Sequence, residues 1–280
     1  ATDCQTNALI VDNPYLAFAL VSHLFDQRRR VPVGVHPSAV VDRTAQLGSA
    51  VRIGPFVTVE EGATIGDGVE IGAGSFIGSD SVLGSETMVL PRVVINYRTR
   101  VGSHCAIHSG AVIGADGFGF TPTETGELQG IAQIGGVSIG SNVSVGACTT
   151  IDRGSIEDTV IEDGVKIDNL VQIGHNCHIK AHTVICGCVG IVGSTVVGEH
   201  CLIAGGVGIG GDVRSPPISI SDFVTITGMT HVSRSIEEPG VYSGGVLHGK
   251  SSVWKRNALR FRTLDKMAKQ LIRIEEKLRG

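Results

Sequence analysis

Ile53-Gly54-Pro55-Phe56-Val57-Thr58-Val59-Glu60-Glu61-Gly62-Ala63-Thr64-Ile65-Gly66-Asp67-Gly68-Val69-Glu70-Ile71 carries an aliphatic residue at every sixth position. The count extends outward, back through Leu47, Val41 and Val35 and forward through Ile77, Leu83, Val89, Ile95, Val101, Ile107 and Ile113. Six is neither the helical nor the strand period, so it belongs to a repeating supersecondary unit. Glycine commonly follows the aliphatic residue, as at Gly54, Gly66, Gly72, Gly78, Gly84 and Gly102, and predicts a tight corner there. Four positions after the aliphatic residue stands, most often, a small one: Val57, Ala63, Ser75, Ser81, Thr87, Thr99, Cys105 or Ala111. It precedes the next aliphatic residue by two, so both point inward from one short strand. The expected fold is a solenoid with an aliphatic bore.

Beyond Ile113 the count lapses over 115–132, where Gly117-Phe118-Gly119-Phe120, Pro122 and Gly126 show no sixfold period. This segment must loop out of the stack, and Phe118 and Phe120 offer an apolar contact to a ligand or neighbouring subunit, unless the loop merely packs on its own solenoid. The count resumes at Ile139, Val145 and Ile151, reads as steps of five at Ile156 and Ile161, then runs from Ile167 to Ile209. A second interruption spans 210–217, and a last run through Ile220, Ile226 and Val232 closes at Pro239-Gly240. The solenoid is therefore expected over 35–240.

Residues 1–34 lack the repeat. Ala8-Leu9-Ile10-Val11 reads as a strand, Asn13-Pro14 as a helix cap with a first-turn proline, and Leu16, Leu20 and Leu24 as an amphipathic helix ending in Arg28-Arg29-Arg30. One strand and one helix make no domain, so this stretch reads as the remnant of an α/β module. The arginines read as a solvated helix end in preference to a nucleic-acid site. From about Ser251, within a helical extension over 241–280, Leu264, Met267, Leu271, Ile274 and Leu278 form a heptad seam. Residues 250–280 carry a net +7 in a chain whose total is −4, so a cationic tail follows an acidic body. Such a tail suits an anionic partner, and the seam suits oligomerisation.

Only 4% of residues are aromatic and 39 are glycine, which fits a narrow bore of Val and Ile better than a globular core. No apolar run reaches the ~18 residues of a membrane span. Seven cysteines, three of them at the small inward position (Cys105, Cys177 and Cys201), read as reduced core thiols.

Asp168-Asn169-Leu170-Val171-Gln172-Ile173-Gly174-His175-Asn176 is polar where its neighbours are not. His175 falls two residues after an inward isoleucine, on a corner, facing outward. Gly193, eighteen residues on, should lie above it at one strand spacing with its N–H uncovered. A base beside an open N–H is what acyl transfer needs, one group taking a proton from the nucleophile and the other steadying the oxyanion. Counted in hexads, Asp158 stacks below His175, and Asp168 lies a triangle edge away. Either carboxylate could orient the imidazole, Asp168 only from a neighbouring subunit.

Gly114-Ala115-Asp116-Gly117-Phe118-Gly119, Gly146 to Gly154, Ile167-Asp168-Asn169, Gln172-Ile173-Gly174-His175-Asn176, Thr227-Gly228-Met229 and Glu238 to Ser243, in that order, resemble the UDP-3-O-(3-hydroxyacyl)glucosamine N-acyltransferases of lipid A biosynthesis. The resemblance implies a left-handed parallel β-helix of hexapeptide repeats, and a cytoplasmic homotrimer with sites between subunits. It implies a (R)-3-hydroxyacyl group passed from acyl carrier protein to the 2-amine of a UDP-aminosugar. No cofactor is implied beyond the carrier's phosphopantetheine thioester, and no metal. His175 would be the general base, Asp168 its orienting carboxylate and Gly193 the oxyanion donor. Asn169, Asn176, Phe118 and Phe120 would line the substrate site. Lys255, Arg256, Arg260 and Arg262 in the cationic tail would meet the acidic carrier. Residues 1–34 would be the end of the family's uridine-binding lobe. Asp212 stands where the family usually has a histidine. The competing readings are the related UDP-N-acetylglucosamine O-acyltransferase and a zinc-dependent trimer of the γ-carbonic anhydrase type using His175, His178 and His182.

Overall fold

The computed structural model describes residues 7–27, 30–211, 216–245 and 248–279. Short strands stack into three parallel sheets of eleven, ten and nine strands, and these form the three faces of a β-solenoid. The first face begins Gly34–Val35 and Arg52–Ile53, the second Val40–Val41 and Thr58–Val59, the third Gln46–Leu47 and Thr64–Ile65. Away from the insertions each strand pairs with the one eighteen residues on, as Arg52 does with Glu70 and Thr58 with Phe76. The sixfold aliphatic residues line the bore, Ile65, Ile71, Ile77, Ile95 and Ile107 being fully buried. Each such side chain stabilises by about 2 kcal/mol relative to exposure. Val35 and Leu47 in the first coil stay exposed among the described residues.

The small inward position does more than fit. Ser75 Oγ donates to Leu90 O and accepts from Val93 N; Thr87 Oγ1 does the same with Gly102 O and Cys105 N. The hydroxyl thus ties one corner to the coil above. The buried cysteines donate in the same manner, Cys105 Sγ to Gly140 O at 3.1 Å, Cys177 Sγ to Val192 O at 3.2 Å and Cys201 Sγ to Ser221 O at 3.2 Å.

The glycines after the aliphatic residue have a different cause from the expected one. The left-handed residue of each corner comes three positions after the aliphatic one, and is often not glycine: Phe56, Asp80, Glu86, Arg92, Arg98 and His104 all have φ between 56° and 60°. Gly78 is required by proximity, since a Cβ there would lie 2.5 Å from Tyr97 N in the next coil.

The steps of five at Ile156 and Ile161 do not exist. Ile151 pairs with Ile173 and Val145 with Ile167, both twenty-two residues apart, so four extra residues enter one corner. Ile156 lies in that insertion and is 77% exposed. Three insertions leave the solenoid: after Val112–Ala115, after Thr150–Asp152 and after Gly208–Ile209. Each strand is on the second face and the chain returns on the third, so all three breaks in the repeat fall at one corner. The first contains an antiparallel hairpin of Phe120–Pro122 with Leu128–Gly130.

At the ends, residues 8–11 form no strand. Helix α1 (Pro14–Ser22) is capped as expected, Asn13 Oδ1 accepting from Leu16 N, but its leucines and phenylalanine are exposed. Arg28 and Arg29 fall outside the described residues. Arg30 is no free helix end, because its Nε donates to the buried Glu70 at 2.9 Å, which also accepts from Val31 N. Gly240–Tyr242 adds a further strand to the first face. Helices α2 (Ser251–Phe261) and α3 (Leu264–Arg279) follow, fully exposed, with the heptad seam entirely on α3.

Candidate active site

His175 stands at the corner that receives the insertions, half-buried and directed outward as the register required. Ile173 pairs with Ile191, and Ser194 N donates to His175 O, so the next coil sits squarely above it. A Cβ at Gly193 would fall 2.7 Å from His175 Nε2. Glycine at that position leaves room for the ring. Among the described residues the Gly193 N–H finds no acceptor.

The other ring nitrogen is engaged. Nδ1 lies 3.0 Å from Asn176 Oδ1. The Asn176 amide has one orientation available, since its Nδ2 donates to Glu157 O at 2.9 Å and its Oδ1 accepts from Ser155 N at 3.0 Å. An oxygen facing Nδ1 requires the proton to be on Nδ1, leaving the Nε2 lone pair toward Gly193. Asn176, expected as a substrate contact, is thus committed within the chain to the imidazole. Its left-handed backbone, φ 57°, turns the side chain back onto the preceding residue.

Asp158 does not stack on His175. Once the four inserted residues are counted, Arg153 is the residue of the preceding coil in register with it, and the Asp158 carboxylate instead accepts from Gly136 N at 2.7 Å. The carboxylate that does sense His175 is Asp152, missed by the hexad count. Burial pushes its carboxyl above the ordinary range, while a hydrogen bond from Gln172 Nε2 at 2.8 Å and the charge of His175 pull it back. Arg153 is fully buried, its guanidinium stacked 3.5 Å over the Tyr97 ring and donating to Tyr97 O.

Asp168 and Asn169 lie at the corner between the first and second faces, one strand before His175. Asp168 Oδ1 accepts from Asn169 N, and Asn169 Oδ1 from Ala147 N. Phe118 and Phe120 meet edge to face at 4.9 Å on the inserted loop, with Phe118 86% exposed. The loop base crosses His175, since a Cβ on Gly117 would lie 2.7 Å from His175 Cβ. His178 is on the third face, bonded to Glu162, and His182 is at the next corner, so one chain does not gather the three histidines of the zinc reading. Asp212 lies outside the described residues. Among the described residues no helix is long and apolar enough to cross a membrane.

Residues 44–79 match the family pattern of bacterial transferase hexapeptide (six repeats), so the fold and its repeat are those of a hexapeptide-repeat transferase. Solved UDP-N-acetylglucosamine acyltransferases share the solenoid: the Arabidopsis enzyme has a TM-score of 0.65 and 22% identity, covering 75% of this chain and 71% of its own. The Moraxella catarrhalis RH4 enzyme has a TM-score of 0.60 and 22% identity, covering 80% and 77%. At that identity the likeness is one of fold alone. A Hahella chejuensis (strain KCTC 2396) protein named UDP-3-O-acylglucosamine N-acyltransferase is 51% identical over 276 residues, covering 99% of this chain and 78% of the relative. A namesake from Herminiimonas arsenicoxydans is 45% identical over 282 residues, covering 100% and 79%. The chain belongs to the UDP-3-O-acylglucosamine N-acyltransferase family.

Proposed function

We propose that this chain transfers a (R)-3-hydroxyacyl group from the thioester of acyl carrier protein to the 2-amine of UDP-3-O-(3-hydroxyacyl)-glucosamine, acting in the cytoplasm as a homotrimer. The observation that carries the reading is the His175 Nε2 lone pair, fixed by Asn176, beside the open N–H of Gly193. His175 Nε2 takes the amine proton as nitrogen attacks the thioester carbonyl. Gly193 N–H steadies the oxyanion. On collapse the C–N bond is kept and the C–S bond breaks, and the imidazolium returns its proton to the leaving thiolate. Phe118, Phe120 and Asn169 contact substrate in this reading, and Asp168 reaches His175 from a neighbouring chain.

The test is mass-spectrometric detection of N-acylated product from defined hydroxyacyl carrier proteins, with His175→Ala in parallel. The variant should fold and lose about 10²–10⁴-fold in turnover. Wild-type rates in it would end the mechanism.

A further inference from the structure

The segment that returns the inserted loop to the solenoid is wired to the back of the imidazole. Gln133 is buried, and its Nε2 donates to Ile131 O at 3.0 Å. That leaves Oε1 to accept, which it does from Ser155 Oγ at 3.0 Å. With its proton given to Gln133, Ser155 Oγ turns lone pairs toward His175 Nδ1, 3.5 Å away and at the outer edge of a hydrogen bond. Ser155 also contributes its N–H to Asn176 Oδ1. The loop passes directly over this arrangement: a Cβ on Gly117 would lie 2.9 Å from Gln133 Oε1, and one on Gly119 would lie 3.1 Å from Gln133 Nε2.

We infer that Gln133 and Ser155 are positioning residues which, with Asn176, keep the proton on His175 Nδ1 and so select Nε2 as the base. The inference rests on the proposed role of His175. Every group presented to Nδ1 is an acceptor, and the direction of each hydrogen bond is set by the one behind it, back to the Ile131 carbonyl. Within one chain these acceptors are neutral, and the Asp168 carboxylate of the proposed neighbour adds its charge to a ring they have already oriented. The charged neighbours of the imidazole in the preceding coil are Asp152 and Arg153, on the strand and corner below it. They are unaltered in the variants that follow.

The test uses the full chain and pH profiles of kcat and kcat/KM with the acyl carrier thioester. Ser155→Ala should lower kcat about 3- to 10-fold with KM little changed, as expected for loss of one positioning hydrogen bond. Ser155→Thr, which keeps the hydroxyl, should restore it. Gln133→Glu places a carboxylate behind the serine and should move the acid limb of kcat/KM to higher pH, because nearby negative charge favours imidazolium. That shift reports how close position 133 lies to the imidazole, and the positioning role itself is read from Ser155→Ala against Ser155→Thr. An inactive His175→Ala, combined with acid limbs unmoved in Gln133→Glu and kcat unmoved in Ser155→Ala, overturns the relay and leaves the base standing. An active His175→Ala overturns both. If Gln133→Glu fails to fold, the Ser155→Ala and Ser155→Thr pair decides.

Discussion

Asp168 and His175 occupy successive corners of the solenoid, joined by the single strand Gln172–Ile173 of the second face. A strand rises about 3.3 Å per residue, so the two side chains of one chain stand far beyond hydrogen-bonding reach. If Asp168 orients His175 it does so from a neighbour. A mixture of inactive His175→Ala and inactive Asp168→Ala chains, co-refolded, should then regain activity at interfaces built from one intact face of each. Activity in Asp168→Ala alone equal to wild type would remove the carboxylate from the site.

Gly193 offers a steric probe of the stacking. A methyl group added there meets His175 Nε2 at 2.7 Å and must push the ring away from the nucleophile. Gly193→Ala keeps the backbone N–H but displaces the base, and should lower kcat by about 10²-fold, the lower end for losing a general base, while the melting temperature stays near wild type. Unchanged kcat would mean that the ring position set by this contact does not matter to the reaction.

The bore was readable because the aliphatic count is kept in step by the coil itself, and His175 and Gly193 inherited their places from it. The count failed where an aliphatic residue sat outside the bore. Ile156 satisfies a near-sixfold spacing, yet it is on an insertion, and treating it as inward placed Asp158 where Arg153 belongs. Pairing over the long coils, Thr150 with Gln172 and Val137 with Thr159, resolves this and is a long-range contact that no local spacing carries. The corner glycines were detected with the wrong cause, since sequence does not separate a positive φ from a close approach between coils. The Gln133–Ser155–His175 contacts join residues twenty or more apart through an insertion of irregular shape, and no period reports them. A signal for Asn176 did exist. It occupies the left-handed corner position where asparagine is favoured, and there its amide turns back onto residue 175.

The inward cysteines make stability fall in alkali. Burial pushes the Cys177 thiol up to about 12, and raises Cys105 and Cys201 as well. An unfolded thiol ionises near 8.5, so above that pH the unfolded chain releases protons that the native one keeps. The stabilisation is complete below about 8.5 and declines as pH rises toward the native values. Serine occupies the same inward position at Ser75 and Ser81, donating to a carbonyl without titrating in this range. The triple variant Cys105→Ser, Cys177→Ser, Cys201→Ser should therefore show a shallower loss of urea stability between pH 8 and 11 than wild type. Parallel curves would mean that these thiols do not govern the alkaline limb. In native protein at pH 8 the same three should resist alkylation until unfolding, while Cys4 lies outside the described residues.

The helical tail carries the last prediction. On α3, Leu264, Met267, Leu271, Ile274 and Leu278 are all exposed, an apolar seam that no other described residue covers. A single amphipathic helix of 16 residues gains little stability alone, so its seam is expected to close against the same helix of other subunits. Helix α2 presents Trp254, Lys255, Ala258 and Leu259, with its C-cap Arg262, around one shallow groove of about 380 Å³, an apolar floor with cations at its edge. This surface suits the acidic carrier of the proposed reaction. Charge reversal at Lys255, Arg256, Arg260 and Arg262 should weaken carrier binding and leave the proposed homotrimer intact, whereas polar substitutions at Leu271 and Ile274 should weaken that assembly first. Carrier affinity of the wild type should fall as salt shortens the Debye length from about 10 Å at 0.1 M toward 3 Å at 1 M. Carrier binding that is indifferent to both salt and charge reversal would show that the +7 tail serves solubility alone.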